Sequence, residues 1–253
     1  MEAVKRIPYG VSDFVAVVEQ NQYYVDKTMY LPLLEQQPSN LFLIRPRRFG
    51  KSIFLNMLRA YYDSSQKAKF EKRFGNLWIG QNPTPLQGRY QVLFLDFSKA
   101  GVGIENLEAN FNLYCRRQLD GFMATYEDAY PERTVEEFYA STSAADKLSM
   151  IEVEAQRHGY PLYLINVVLN EQGNDIYHAI THASGFYREI FKKFKGMFER
   201  IFMMGVSPVT LDDLTSGFNI GWNISTDYQF NMMLGFSESD VREMFQYYKD
   251  AGQ

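Results

Sequence analysis

The segment Arg45-Pro46-Arg47-Arg48-Phe49-Gly50-Lys51-Ser52 concentrates groups that could do chemistry. Four cations fall within seven residues, and the segment ends in Gly-Lys-Ser. Such a run suits an anion with several oxygens. A tight loop turns its backbone N–H groups inward around phosphate, and a following helix adds unpaired N–H groups and the positive end of its dipole. Gly50 lets the backbone approach closely, and Lys51 sets an ammonium against the outer phosphates. The Ser52 hydroxyl can complete the coordination of a Mg²⁺ that bridges two phosphates. The usual pattern is G-x-x-x-x-G-K-[ST], and Arg45 stands where its first Gly belongs. A solvated basic turn and a direct nucleic-acid contact compete for the same residues.

This chemistry needs a strand before the loop and a helix after it. Leu41-Phe42-Leu43-Ile44 is a short continuous apolar run, the pattern of a strand buried on both faces. Ser52 to Asp63 places Phe54, Leu55, Leu58, Tyr61 and Tyr62 at helical spacing. Val92–Leu95, Pro161–Ile165 and Arg200–Val206 read as further buried strands. Helices are expected over 104–125, 132–157 and 175–197, with Ile104, Leu107, Phe111, Cys115 and Leu119 forming one stripe. A short helix over Met29–Glu35 has Asp26 or Thr28 near its cap, and a last helix opens at Ser237 with Asp240 as its box partner. Residues 1–22 and 74–90 read as irregular. Alternating strands and helices imply an α/β fold, a P-loop NTPase-type mainly parallel sheet flanked by helices with a small C-terminal helical tail. Ligands of such sheets bind beyond the carboxyl ends of the strands.

Composition limits the rest. Hydrophobic residues make up 46% of 253, too many for a disordered chain. The net charge of −4 gives no global attraction to nucleic acid or to an anionic membrane. One cysteine, Cys115, excludes an internal disulfide framework and fits a reducing compartment. No apolar run approaches the roughly 20 residues of a membrane span, so no membrane partner and a cytoplasmic location are expected.

Several strings together resemble the predicted AAA-ATPase-like family, bacterial P-loop ATPases whose longer members carry a C-terminal nuclease-like domain. They are Pro8–Phe14, Tyr24–Thr28, Phe42–Ser52, Asn170–Tyr177, Gly205–Asp213 and Thr215–Ile220. The resemblance implies an ATPase domain over 1–235 and the start of a helical lid or linker over 236–253. It implies ATP and Mg²⁺ as cofactors, with Arg45, Pro46, Arg47, Arg48, Phe49, Gly50, Lys51, Ser52 and Ile53 at the nucleotide and Lys51 as the catalytic cation. The family likewise has Arg at the first Gly of the loop. A homo-oligomer, a nucleic acid or a protein client are left open as partners.

An ATPase also needs an acid at a strand end beside the loop. Asp96, after Val92–Leu95, is the literal candidate for the metal beside Ser52, with capping of the turn at Phe97-Ser98 as its alternative role. The family places an Ile-Asp-Glu-Tyr-Asp-like string after the strand that matches Pro161–Ile165. Here Ile165 runs directly into Asn166-Val167-Val168-Leu169-Asn170, with no acid until Glu171. Either the chain binds nucleotide without efficient hydrolysis, or a segment is missing between Ile165 and Asn166. Ser207, at the end of the strand Arg200–Val206, is a candidate γ-phosphate sensor by analogy, or a cap before Pro208. His178 and His182 share metalloprotease spacing but Ala179 stands where the general base belongs, and a solvated pair is the better reading. Cys115 reads as an inert core thiol, and Lys192-Lys193-Phe194-Lys195 as a solvated face.

Overall fold

The computed structural model describes residues 4–97, 106–167, 193–194, 196–205 and 221–252. The strands are β1 (Asn40–Ile44), β2 (Gln91–Asp96), β3 (Leu162–Val167), β4 (Arg200–Gly205) and β5 (Trp222–Asn223). They form one sheet in the order β2-β3-β4-β1-β5. Every pairing is parallel. Each apolar run expected to be a strand is one, because a strand covered on both faces selects continuous apolar residues.

Alternation along the strands divides the interior into two cores. Leu41, Leu43, Tyr163, Ile165, Phe202 and Met204 face one side, with α3 (Lys51–Tyr62) packed on them through Phe54, Leu55 and Leu58. Phe42, Leu93, Leu95, Leu162, Leu164, Ile201 and Met203 face the other side, with α6 (Leu107–Tyr126) and α8 (Ala144–His158). The stripe Phe111, Cys115 and Leu119 is buried there as expected. Helices on both faces of a parallel sheet make this an α/β fold of P-loop NTPase type.

Several local expectations are corrected. The helix expected over 132–157 is two, α7 (Glu132–Ala140) and α8, broken at Ser141–Ser143, where the Ser143 side chain caps α8. The stretch 1–22 contains α1 (Phe14–Glu19), started by Asp13, which accepts from Val15 N. The stretch 74–90 contains the end of α4 (Phe70–Phe74) and a one-turn helix, α5 (Trp78–Gln81). Asp26 and Thr28 do not cap α2 (Tyr30–Glu35), which has no side-chain cap. Asp26 Oδ2 accepts from Trp78 N at 2.6 Å and Thr28 Oγ1 from Ile79 N at 3.1 Å, so both cap α5 across the fold. The last helix, α9 (Glu238–Asp250), does open with a Ser237/Asp240 capping box. The expected helix over 175–197 lies almost wholly outside the described residues.

Strand β3 runs unbroken through Ile165 and Asn166. Asn166 is fully buried, and neither its Nδ2 nor its Oδ1 has a hydrogen-bond partner among the described residues. By alternation it shares a face with Leu162 and Leu164, between its register neighbours Leu95 and Met203. An amide buried without partners costs about 1–3 kcal/mol. Asn166→Leu, nearly the same shape without the polar atoms, is therefore expected to raise the urea midpoint by the equivalent of about 1–2 kcal/mol. A lower midpoint would show that the amide is satisfied in the folded chain.

Candidate nucleotide-binding site

Parallel β1 ends beside β4, where Arg45 N donates to Gly205 O at 3.2 Å. The chain then turns sharply and enters α3 at Lys51. Two residues take the left-handed conformation that makes this turn: Arg48 at φ 66° and Gly50 at φ 79°. Gly50 is the N-cap of α3, and nothing lies within 4 Å of where its Cβ would be. It is glycine for its backbone angle. Arg48 holds the same angle against the clash of its Cβ, a cost of roughly 1 kcal/mol. Arg48→Gly is thus expected to raise the denaturation midpoint by the equivalent of about 0.5–1 kcal/mol, and an unchanged or lower midpoint would refute that strain.

The cations divide into two kinds. Arg47 and Arg48 are exposed, and among the described residues no carboxylate forms a salt bridge with either of them or with Lys51. Lys51 turns back over the loop, where its Nζ donates to Arg45 O at 3.1 Å and Pro46 O at 2.5 Å. Burial, and then the nearby charge of Arg47, push its ammonium below the ordinary lysine pKa. Among the described residues these three cations stand at a helix start without a carboxylate partner, which leaves a positive field at the end of the loop. Arg45 differs. Its guanidinium donates to the carbonyls of Ile44 (2.9 Å), Ser225 (2.8 Å) and Phe230 (3.1 Å). Its side chain is thus held away from the loop by backbone acceptors.

Ser52 is exposed on the first turn of α3, its carbonyl accepting from Asn56 Nδ2 at 2.9 Å. The same Nδ2 donates to Ser12 O at 3.3 Å and so ties the N-terminal segment to α3. Pro46 and Phe49 are exposed in the loop, and Ile53 packs on the α3 core. Asp96 ends β2 on the same face as α3, but β3 and β4 stand between β2 and β1. Three strand spacings put it about 14 Å to the side of β1. It is not the neighbour of Ser52 that its place at a strand end suggested. Its N–H donates to Tyr114 Oη at 2.6 Å.

A cavity of about 380 Å³ adjoins the loop. Ile7, Pro8 and Tyr24 wall it from the N-terminal segment, Phe49 and Ile53 from the loop and α3, and Met233 and Phe236 from the C-terminal segment. Its size and largely apolar lining are those of a small-molecule site. This wall was invisible in the sequence, because it joins three segments far apart in the chain. The strings Pro8–Phe14, Tyr24–Thr28 and Phe42–Ser52 each supply a wall residue, but nothing local shows that they meet.

The remaining candidates separate cleanly. Among the described residues no three His, Cys, Asp or Glu side chains are grouped to hold a metal. His158 stacks on Tyr160, with its Nε2 3.2 Å from Glu154. Burial pushes the Cys115 thiol up to about 12, which leaves it inert. Lys193 is tied to the Ser149 hydroxyl. Ser207, Glu171, Asp175, His178, His182, Lys192 and Lys195 lie outside the described residues. No helix among the described residues is long and apolar enough to cross a membrane.

Comparison of the sequence with known proteins shows the family. An uncharacterized protein encoded in the vnfD 5′ region of Azotobacter chroococcum mcd 1 is 26% identical over 252 residues. The match covers 95% of this chain and 45% of that protein, so the chain spans just under half the length of this curated relative. No solved structure matches the chain. The model of a predicted AAA-ATPase matches residues 8–215, which take in β1, the basic loop after it and α3 together, and the chain therefore belongs to the predicted AAA-ATPase family.

Proposed function

We propose that this chain binds MgATP, with the triphosphate against Arg47–Ser52 and the base in the adjoining cavity. Family membership supports a general ATPase-like function. The observation that carries the finer reading is Lys51, held over the Arg45 and Pro46 carbonyls beside an apolar cavity of about 380 Å³. Phosphate would replace those carbonyls as its partner. Backbone N–H groups of Arg47 to Ser52 would cradle the phosphates. Mg²⁺ is a hard cation that keeps water and phosphate oxygens among its ligands and needs few from the protein. The Ser52 hydroxyl fits that demand, so the ion would arrive with the nucleotide. It would neutralise charge between the β- and γ-phosphates. Residues 1–235 would form the ATPase domain, and 236–253 the beginning of a lid.

A second reading concerns turnover. The β3 end carries buried Asn166, and Asp96 stands two strands further from the loop than a β4 residue would. Both observations favour a nucleotide-gated binding module with slow hydrolysis. Calorimetric titration of MgATP, with phosphate release counted in the same samples, distinguishes the two. Binding with turnover establishes an ATPase. Binding without turnover establishes the switch. Absence of binding overturns the nucleotide assignment.

A further inference from the structure

The residue at the first-glycine position of the loop has a task that glycine could not perform. Arg45 is not in the left-handed region, so its backbone makes no demand for glycine. Its planar guanidinium spans two carbonyls of the C-terminal segment, Ser225 O and Phe230 O. Those carbonyls lie in the chain that follows β5. The segment is laid along the loop by three further bonds. Ile224 N donates to Phe42 O at 3.0 Å, Ile44 N to Ser225 Oγ at 2.8 Å, and Gly235 N to Phe49 O at 3.1 Å. The segment therefore grips the phosphate-binding loop at its start through Arg45 and near its end through Phe49.

The grip continues into α9. Gly235 is two residues before Ser237, the cap of that helix. Asp240 of α9 pairs with Lys27 Nζ at 2.7 Å, and Lys27, Gly235, Phe236 and Met244 all line the cavity. Loop, strap and helix thus surround one space. The loop also has a part with two alternative partners, the Lys51 ammonium. It lies on the Arg45 and Pro46 carbonyls and would exchange them for phosphate. Moving it removes a donor from Arg45 O, on the same residue whose side chain holds the strap.

We infer that Arg45 is a positioning residue that clasps the phosphate-binding loop to the segment 224–236, so that filling the loop with phosphate is transmitted to α9. The inference rests on the nucleotide reading above and adds to it a coupling between two places. Coupling requires that a ligand prefer one arrangement of a shared element, and here that element is the Arg45 peptide with its two-sided hydrogen bonding. The planar fork of arginine suits the task better than a lysine, which would replace a divided grip with a single point.

The test is amide hydrogen exchange in α9, with and without saturating MgATP, beside calorimetric affinities. The proteins are the wild type, Arg45→Gly, Arg45→Lys and Lys51→Ala. Arg45→Gly restores the usual first glycine of the motif. In the wild type, MgATP is expected to change α9 exchange by about tenfold, within the ordinary range of coupling between sites. Arg45→Gly is expected to bind MgATP within about threefold of wild type while losing most of that α9 response. Arg45→Lys should bind equally and respond partially. Should the glycine variant fail to fold, the lysine variant is read alone, and an undiminished α9 response in it overturns the clasp. Loss of binding in Arg45→Gly as severe as in Lys51→Ala would make Arg45 a phosphate ligand and also overturn it. A full α9 response in Arg45→Gly, or none in a wild type that binds MgATP, overturns the coupling alone. A wild type that binds no MgATP overturns the nucleotide reading itself.

Discussion

Lys51→Ala is expected to weaken MgATP binding by about 100-fold, close to 3 kcal/mol, while leaving the fold intact. The size follows from chemistry. A hydrogen bond to a charged group is worth roughly 1.5–3 kcal/mol, and the ammonium would meet two phosphates in a partly desolvated loop. The fold should survive because, among the described residues, the hydrogen bonds of Lys51 Nζ go to two loop carbonyls, Arg45 O and Pro46 O. Those carbonyls lie where water can reach them once the side chain is gone. Calorimetry gives the affinity, and a denaturation curve in the same buffer gives the stability. An affinity within a few-fold of wild type would remove Lys51 from the site. The observation would then favour a basic turn.

Phe202→Ala is expected to destabilise the protein by about 3–5 kcal/mol. Phe202 is fully buried in β4, next to β1 in the sheet. Its ring lies 6.2 Å from that of Phe54 on α3, so it fills the space behind the helix that carries Lys51 and Ser52. Truncation leaves a cavity between helix and sheet, and the loss combines transfer free energy with the cavity term. Urea denaturation measures it. A loss below about 1 kcal/mol would mean that α3 collapses onto the sheet and closes the space. Because α3 carries Lys51 and Ser52 on its first turn, the variant should also bind MgATP more weakly than its folded fraction alone explains. The comparison with Lys51→Ala separates the two causes. One variant loses the phosphate contact in an intact fold, and the other loosens the support beneath intact contacts.

The buried strands, the helix α3 and the loop between β1 and α3 were legible because each depends on neighbours in the sequence. Continuous apolar runs such as Leu41–Ile44 mark strands covered on both faces. Gly50-Lys51-Ser52 after an apolar run marks the entry to α3, though the left-handed angle of Gly50 appears only in the structure, and Ser237 with Asp240 marks the start of α9. The family resemblance was equally a property of short strings. Such features are encoded within about ten residues, so no knowledge of packing is needed to find them.

What the sequence left open depends on partners distant in the chain. Asp26 and Thr28 had the composition of a local cap, but they cap α5 some fifty residues away, because folding brings Trp78 and Ile79 to them. Two-residue β5 has too little pattern to be seen, and only its pairing with β1 defines it. Asp96 had an acid's proper place at a strand end, but strand order set it about 14 Å aside, and order is a property of the whole sheet. Arg45 was grouped with the phosphate-binding cations by proximity in sequence. The tertiary structure gives its guanidinium to Ser225 and Phe230, whose carbonyls no local pattern announces. The chain by itself thus determined the elements and the basic character of the loop between β1 and α3, since local pattern and charge suffice for both. Only the tertiary structure decided which side chains face that loop, because strand order and long-range hydrogen bonds choose among many residues of equal chemical type.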